Sequence, residues 1–85
     1  MNLKYVMLEY NIPILFHPVI EHRNMMELKT GFGIEFGKIT SAGFVQIFVG
    51  DDYGIAATAY GESVSLGVKT NLDDSEIITT MLRKE

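Results

Sequence analysis

Ser63, Ser65 and Lys69, together with Arg23 and Tyr60, are the residues of this chain whose types and spacing could serve a ligand. In the alternating stretch Ser63–Lys69, Val64, Leu66 and Val68 share one side of a strand, and Ser63, Ser65, Gly67 and Lys69 share the other. Two hydroxyls, an amide opened by glycine and an ammonium form a donor set suited to a small anionic group such as a phosphate. Arg23, Glu62 or Tyr60 would complete such a pocket, and Tyr60 or a phenylalanine would supply a stacking face. The plainer alternative is a solvated sheet face.

Other constellations lead away from catalysis. Gly61-Glu62-Ser63-Val64-Ser65 begins like the G-x-S-x-G elbow of hydrolases, but serine stands where the last glycine belongs and no helix follows directly. In Gly31-Phe32-Gly33-Ile34-Glu35-Phe36-Gly37 the third glycine is one position too late for a dinucleotide fingerprint. His17 and His22, with Glu21 and Glu27 nearby, are spaced so that both rings do not fall on one helix face, which argues against a metal site. Asp51-Asp52 lacks the ligand spacing of a calcium loop. No nucleophile–base pair emerges, so the expectation is a non-enzymatic protein without metal or cofactor.

Composition narrows the partners. Eighty-five residues make one domain, 1–85, with a core of limited size. There are no cysteines, so disulfides are excluded, while 47% of residues are hydrophobic, which points to a homo-oligomer as the remaining means of covering apolar surface. A net charge of −4 with scattered basic residues argues against polymeric nucleic acid. Glu9 and Pro13 interrupt the N-terminal apolar run, so neither a signal peptide nor a membrane span is expected, and the default is a soluble cytoplasmic protein.

The elements that must hold these residues are mostly strands. Leu3–Tyr10 is apolar on both sides, which suits a strand covered twice, and with Ile12–Phe16 it predicts a hairpin having Asn11 in its turn and Pro13 at an edge. Pro18 opens a short helix or irregular loop that Thr30-Gly31 ends. Phe32–Phe36 reads as a strand. Thr40–Gly43 is a turn or a continuation into Phe44–Val49, which pairs with Ile55–Tyr60 across the turn Gly50–Gly54; alanines in the second strand let a helix approach. A helix is predicted from about 74 to 84. Asp73 would be its N-cap, with Glu76 completing a capping box, and Leu72 with Ile77 would form a hydrophobic staple. Asp74, Glu76, Arg83 and Lys84 would complement the dipole, and Ile77/Met81 and Ile78/Leu82 would face the sheet. The expected fold is α+β: a mainly antiparallel sheet of about five to six strands with the C-terminal helix on one face.

PILF near the start, TSAGFV at 40–45, GESVSLGVK at 61–69 and the acidic-capped closing helix resemble small uncharacterised proteins of bacteria and their phages over most of the chain. The resemblance carries no functional residue across. It implies binding rather than catalysis: sequestering a nucleotide signal or blocking a host protein. The expected function is therefore a homo-oligomeric binder of a small anionic, nucleotide-like ligand, with docking on a host protein as the alternative.

Overall fold

The computed structural model describes residues 1–25, 38–51 and 54–83. The expected strand Phe32–Phe36 and the Thr30-Gly31 stop lie outside the described residues, as do Glu27, Asp52, Tyr53 and Lys84. The elements are β1 (Asn2–Leu8), a 3-10 turn (Glu9–Asn11), β2 (Ile12–Phe16), β3 (Ile39–Val49), β4 (Ile55–Tyr60), β5 (Glu62–Ser63), β6 (Val68–Lys69) and helix α1 (Asp74–Arg83). The long strands form one antiparallel sheet in the order β2-β1-β3-β4, and β5-β6 is a separate small pair. The fold is α+β as expected, its strands divided between two sheets rather than gathered in one.

β1 is covered on both sides, as its double apolar pattern requires. Tyr5 and Met7 join Val45, Ala57 and Ile78 beneath the helix. Val6 and Leu8 join Phe16 and Ala42 on the opposite face, where Ile20, Met25, Leu66 and Val68 close over them. That second cover comes from residues 17–25, helical from 22 onward, and from the β5-β6 hairpin. The β1-β2 hairpin turns through Tyr10 and Asn11, both at positive φ, 65° and 58°. Asparagine tolerates this conformation, and tyrosine does so at a cost. β3 runs unbroken from Ile39, so Thr40–Gly43 continues the strand.

The helix closes the free edge of β4 with its polar side chains. Ser75 Oγ accepts the amide of Ala59 at 2.8 Å and Thr79 Oγ1 accepts that of Ala57 at 2.9 Å. The Arg83 Nε–H donates to the Ile55 carbonyl at 2.9 Å. Four residues of helix rise about 6 Å and two residues of strand about 6.8 Å, so a helix running antiparallel to the strand keeps these contacts in step. Ala57 and Ala59, having little side chain, let it come close. Ile78, fully buried, is worth about 1.5–3 kcal/mol of burial.

Two details of the sequence reading are corrected. The first concerns Ser63–Lys69, which is not one strand. Ser63 Oγ accepts the Leu66 amide at 3.3 Å and Gly67 adopts φ 69°, so the chain turns over 64–67. The facing is thereby reversed at its start: Ser63 is buried and Val64 is 84% exposed. The second is the helix entry. The Asp73 carbonyl accepts the first helical amide, from Ile77, at 3.1 Å, but its exposed carboxylate makes no hydrogen bond among the described residues. Leu72 is fully exposed and cannot staple to Ile77. Asp74, expected only to complement the helix dipole, is buried and holds the turn by accepting the Asn71 amide at 3.0 Å.

Replacing Ser75 and Thr79 with alanine removes the side-chain partners of two strand amides. Each substitution is expected to lower stability by about 0.5–1.5 kcal/mol in urea titration, with exposed Thr80→Ala as the near-neutral control.

Candidate functional site

Pairing register builds a row across all four long strands. Lys4 stands opposite Phe16 of β2 and opposite Phe44 of β3, and Phe44 stands opposite Tyr60 of β4. By strand alternation these side chains share the face away from the helix. Phe44 and Tyr60 stack with centroids 5.7 Å apart, and the Lys4 ammonium lies 6.0 Å from the Phe44 centroid. His22 sits edge-on to both Phe16 and Phe44, at 5.4 and 5.9 Å. Its Nε2–H donates to the Gly43 carbonyl at 2.8 Å, and Lys4 Nζ donates to the Ile20 carbonyl at 3.1 Å. Gly43 is required beneath this layer, because a Cβ there would lie 2.6 Å from the Tyr60 carbonyl oxygen.

Over the Lys4–Phe44 part of the row opens a cleft of about 580 Å³, lined by Lys4, Glu21, His22, Phe44, Gly61, Glu62, Val64 and Ser65. That size falls within the roughly 300–1,000 Å³ of small-molecule sites. One ammonium faces two carboxylates, so the lining carries a net charge of −1. Gly61 takes φ 78°, which turns the chain from β4 into the small hairpin and brings Glu62 and Ser65 to the rim.

Of the five residues singled out in the sequence, Ser65 lines this cleft. Tyr60, 43% exposed, backs its Phe44 wall. Ser63 lies buried, 3.5 Å from the Ser65 hydroxyl, and so supports the turn rather than facing out. Lys69 is exposed and pairs in register with Glu62, and Arg23 is exposed beside His22; neither has an ion-pair partner among the described residues. Lys4, Glu21, His22 and Phe44 were missed as site residues. A lysine inside an otherwise apolar two-sided strand was a usable signal for Lys4. His22 and Glu21 carry none until the chain folds them over β1 and β3. The two histidines diverge: exposed His17 accepts the Val19 amide through Nδ1 at 3.1 Å, while His22 is buried.

A second polar constellation lies under the helix. Asp74 Oδ2 accepts the Tyr5 phenol at 2.5 Å and the Ser41 hydroxyl at 2.6 Å. Thr70 Oγ1 lies 3.0 Å from the phenol oxygen, whose proton is given to Asp74, so the threonine hydroxyl is the donor there. Tyr5, Ser41 and Asp74 are each at most 2% exposed, which closes them to any substrate. Their role is to fasten the start of α1 to β1 and β3. Burial, and then the hydrogen bond to Asp74, push the Tyr5 phenol well above its ordinary value.

Searches of protein families, curated proteins and solved structures find no match to this chain. No helix among the described residues is long and apolar enough to cross a membrane.

The Tyr5 phenol holds its proton more tightly folded than unfolded, so its contribution is complete below pH of about 10 and is lost as pH rises further. Stability is expected to fall above that pH with a slope approaching about 1.4 kcal/mol per unit. In Tyr5→Phe this component of the alkaline decline disappears, while stability at neutral pH drops because Asp74 loses a donor. Urea titrations across the alkaline range, set beside the phenolate absorbance curve, measure both.

Proposed function

We propose that the protein is a non-enzymatic, homo-oligomeric binding protein that sequesters a small nucleotide-like ligand in the cleft over the Phe16–Lys4–Phe44–Tyr60 row. The observation that carries this reading is the combination, in one cleft, of an aromatic wall, an ammonium and two carboxylates. Phe44 offers a planar group a stacking surface. Lys4 and Ser65 offer donors to a phosphate. Glu21 and Glu62 accept from ribose hydroxyls or base amino groups. With two carboxylates to one ammonium, a nucleoside or monophosphate suits the lining better than a triphosphate, whose added charges meet no added cation. Association between copies is supported by the sheet face beyond the cleft, where Phe48 is 50% exposed beside exposed Ala56 and Thr58. Sequestration is the role that the resemblance to small phage proteins implies.

A second reading, docking on another protein, is favoured by a groove of about 500 Å³ between the β1-β2 turn and α1. Ile12, Pro13, Ile77 and Met81 supply its apolar lining, and Tyr10 stands 91% exposed at its rim. Its charge is confined to Glu76, and its lining holds no ammonium or imidazole.

A thermal-shift screen of nucleosides, nucleoside mono- and triphosphates and cyclic dinucleotides, followed by calorimetry, tests the first reading. Monophosphates are expected to stabilise the protein more than triphosphates. Ser65→Trp, at an exposed position, is expected to block binding without lowering the melting temperature of the free protein. An Arg23→Ala/Lys69→Ala pair, outside the lining, is expected to leave affinity nearly unchanged. No shift with any compound, or unimpaired binding by Ser65→Trp, would overturn the cleft. Stoichiometric capture of one protein by the wild type, lost in Tyr10→Ala, would move the assignment to the groove.

A further inference from the structure

His22 is 4% exposed, yet only one of its two ring nitrogens has a partner among the described residues. A carbonyl oxygen accepts and cannot donate, so the contact to Gly43 fixes the proton on Nε2 and leaves Nδ1 of the neutral ring as a bare acceptor. No described residue donates to Nδ1. No fully buried side-chain nitrogen or oxygen among the described residues lacks a partner, so Nδ1 is not sealed off among them, and the cleft is the opening that His22 lines. The ring cannot swing away from this task. It is held edge-on between Phe16 and Phe44, with interplanar angles of 86° to each.

We infer that Nδ1 of His22 is a specificity-determining acceptor of the cleft, taking a hydrogen bond from a ring N–H or exocyclic amino group of a nucleobase-like ligand. This rests on the cleft being the binding site, and it adds the edge chemistry by which one base is told from another. A ring laid parallel to Phe44 stands perpendicular to His22, as Phe44 itself does. Two perpendicular planes meet along a line, and a hydrogen bond on that line lies in the plane of both partners. Glu21 and Glu62 add acceptors to the same lining, so donor-rich ligand edges are favoured there. A base without the N–H strips water from Nδ1 and returns nothing, which lowers affinity by about tenfold or more.

The test compares adenosine monophosphate and guanosine monophosphate with purine riboside monophosphate, which keeps the ring system and phosphate but has no base donor. Calorimetry is expected to show at least about tenfold weaker binding of the purine riboside compound. His22→Gln, whose amide can donate to Gly43 and still present an oxygen, is expected to retain part of that preference, and His22→Phe to abolish it. Because His22→Phe removes the side-chain hydrogen bond to the Gly43 carbonyl and can compromise folding, imidazole nitrogen NMR of the wild type gives a second readout. The Nδ1 resonance is expected to move on adding adenosine or guanosine monophosphate and not on adding the purine riboside compound. Equal affinities for all three, or an unmoved Nδ1 signal while Phe44 and Ser65 resonances respond, overturns the role of His22 and leaves the cleft standing. No response of any cleft resonance to any of the three overturns the cleft itself, and this inference with it.

Discussion

β1 presents apolar side chains to both sides of the sheet, and a strand of that kind is stable only when two separate layers cover it. Tyr5 and Met7 call for a cover on one face, and Val6 and Leu8 for another on the opposite face. The helix supplies the first. The second is assembled from residues 17–25 and the β5-β6 hairpin, short pieces that have little hydrophobic surface of their own to bury elsewhere. Their arrival over β1 and β3 leaves the cleft between them, lined by residues 21–22 on one side and by residues of 61–65 on the other.

The helix side is fixed by polar contacts as much as by burial. Ile78 anchors it, but Asp74, Ser75, Thr79 and Arg83 decide where along the sheet it lies. Asp74 takes donors from β1, β3 and the turn before the helix, so its carboxylate joins distant parts of the chain at one point. Along β4 the hydroxyls answer backbone groups that an edge strand would otherwise leave open to another chain. Helix and strand repeat at nearly the same distance here, which is why one stripe of the helix can serve several residues of the strand.

On the opposite face, the cleft inherits its chemistry from register. Lys4 lies between Phe16 and Phe44 because β1 is the strand between β2 and β3, and a slip of one residue would send it to the helix side. His22 then completes the layer above, held by its Nε2 hydrogen bond to the Gly43 carbonyl. The lining therefore holds more carboxylates than cations, the charge balance on which the proposed preference for a donor-rich ligand of modest charge rests.

Local pattern was enough for the two-sided β1, the β1-β2 and β3-β4 hairpins, the apolar stripe of α1 and the α+β class, because each depends on neighbours in sequence. It failed at Ser63–Lys69. Alternation there fits a strand, but the Ser63 hydroxyl captures the Leu66 amide and Gly67 turns the chain, exposing Val64 and burying Ser63. It failed likewise at Asp73 and Asp74, where the acid expected to cap makes no side-chain bond among the described residues and its neighbour is the buried anchor. The candidate site was legible in part: Ser65 and Tyr60 belong to the cleft's lining and backing, whereas Lys4, His22 and Phe44 meet only through strand order and register. Those are set by which faces find cover across tens of residues of chain, and that information resides in the tertiary structure.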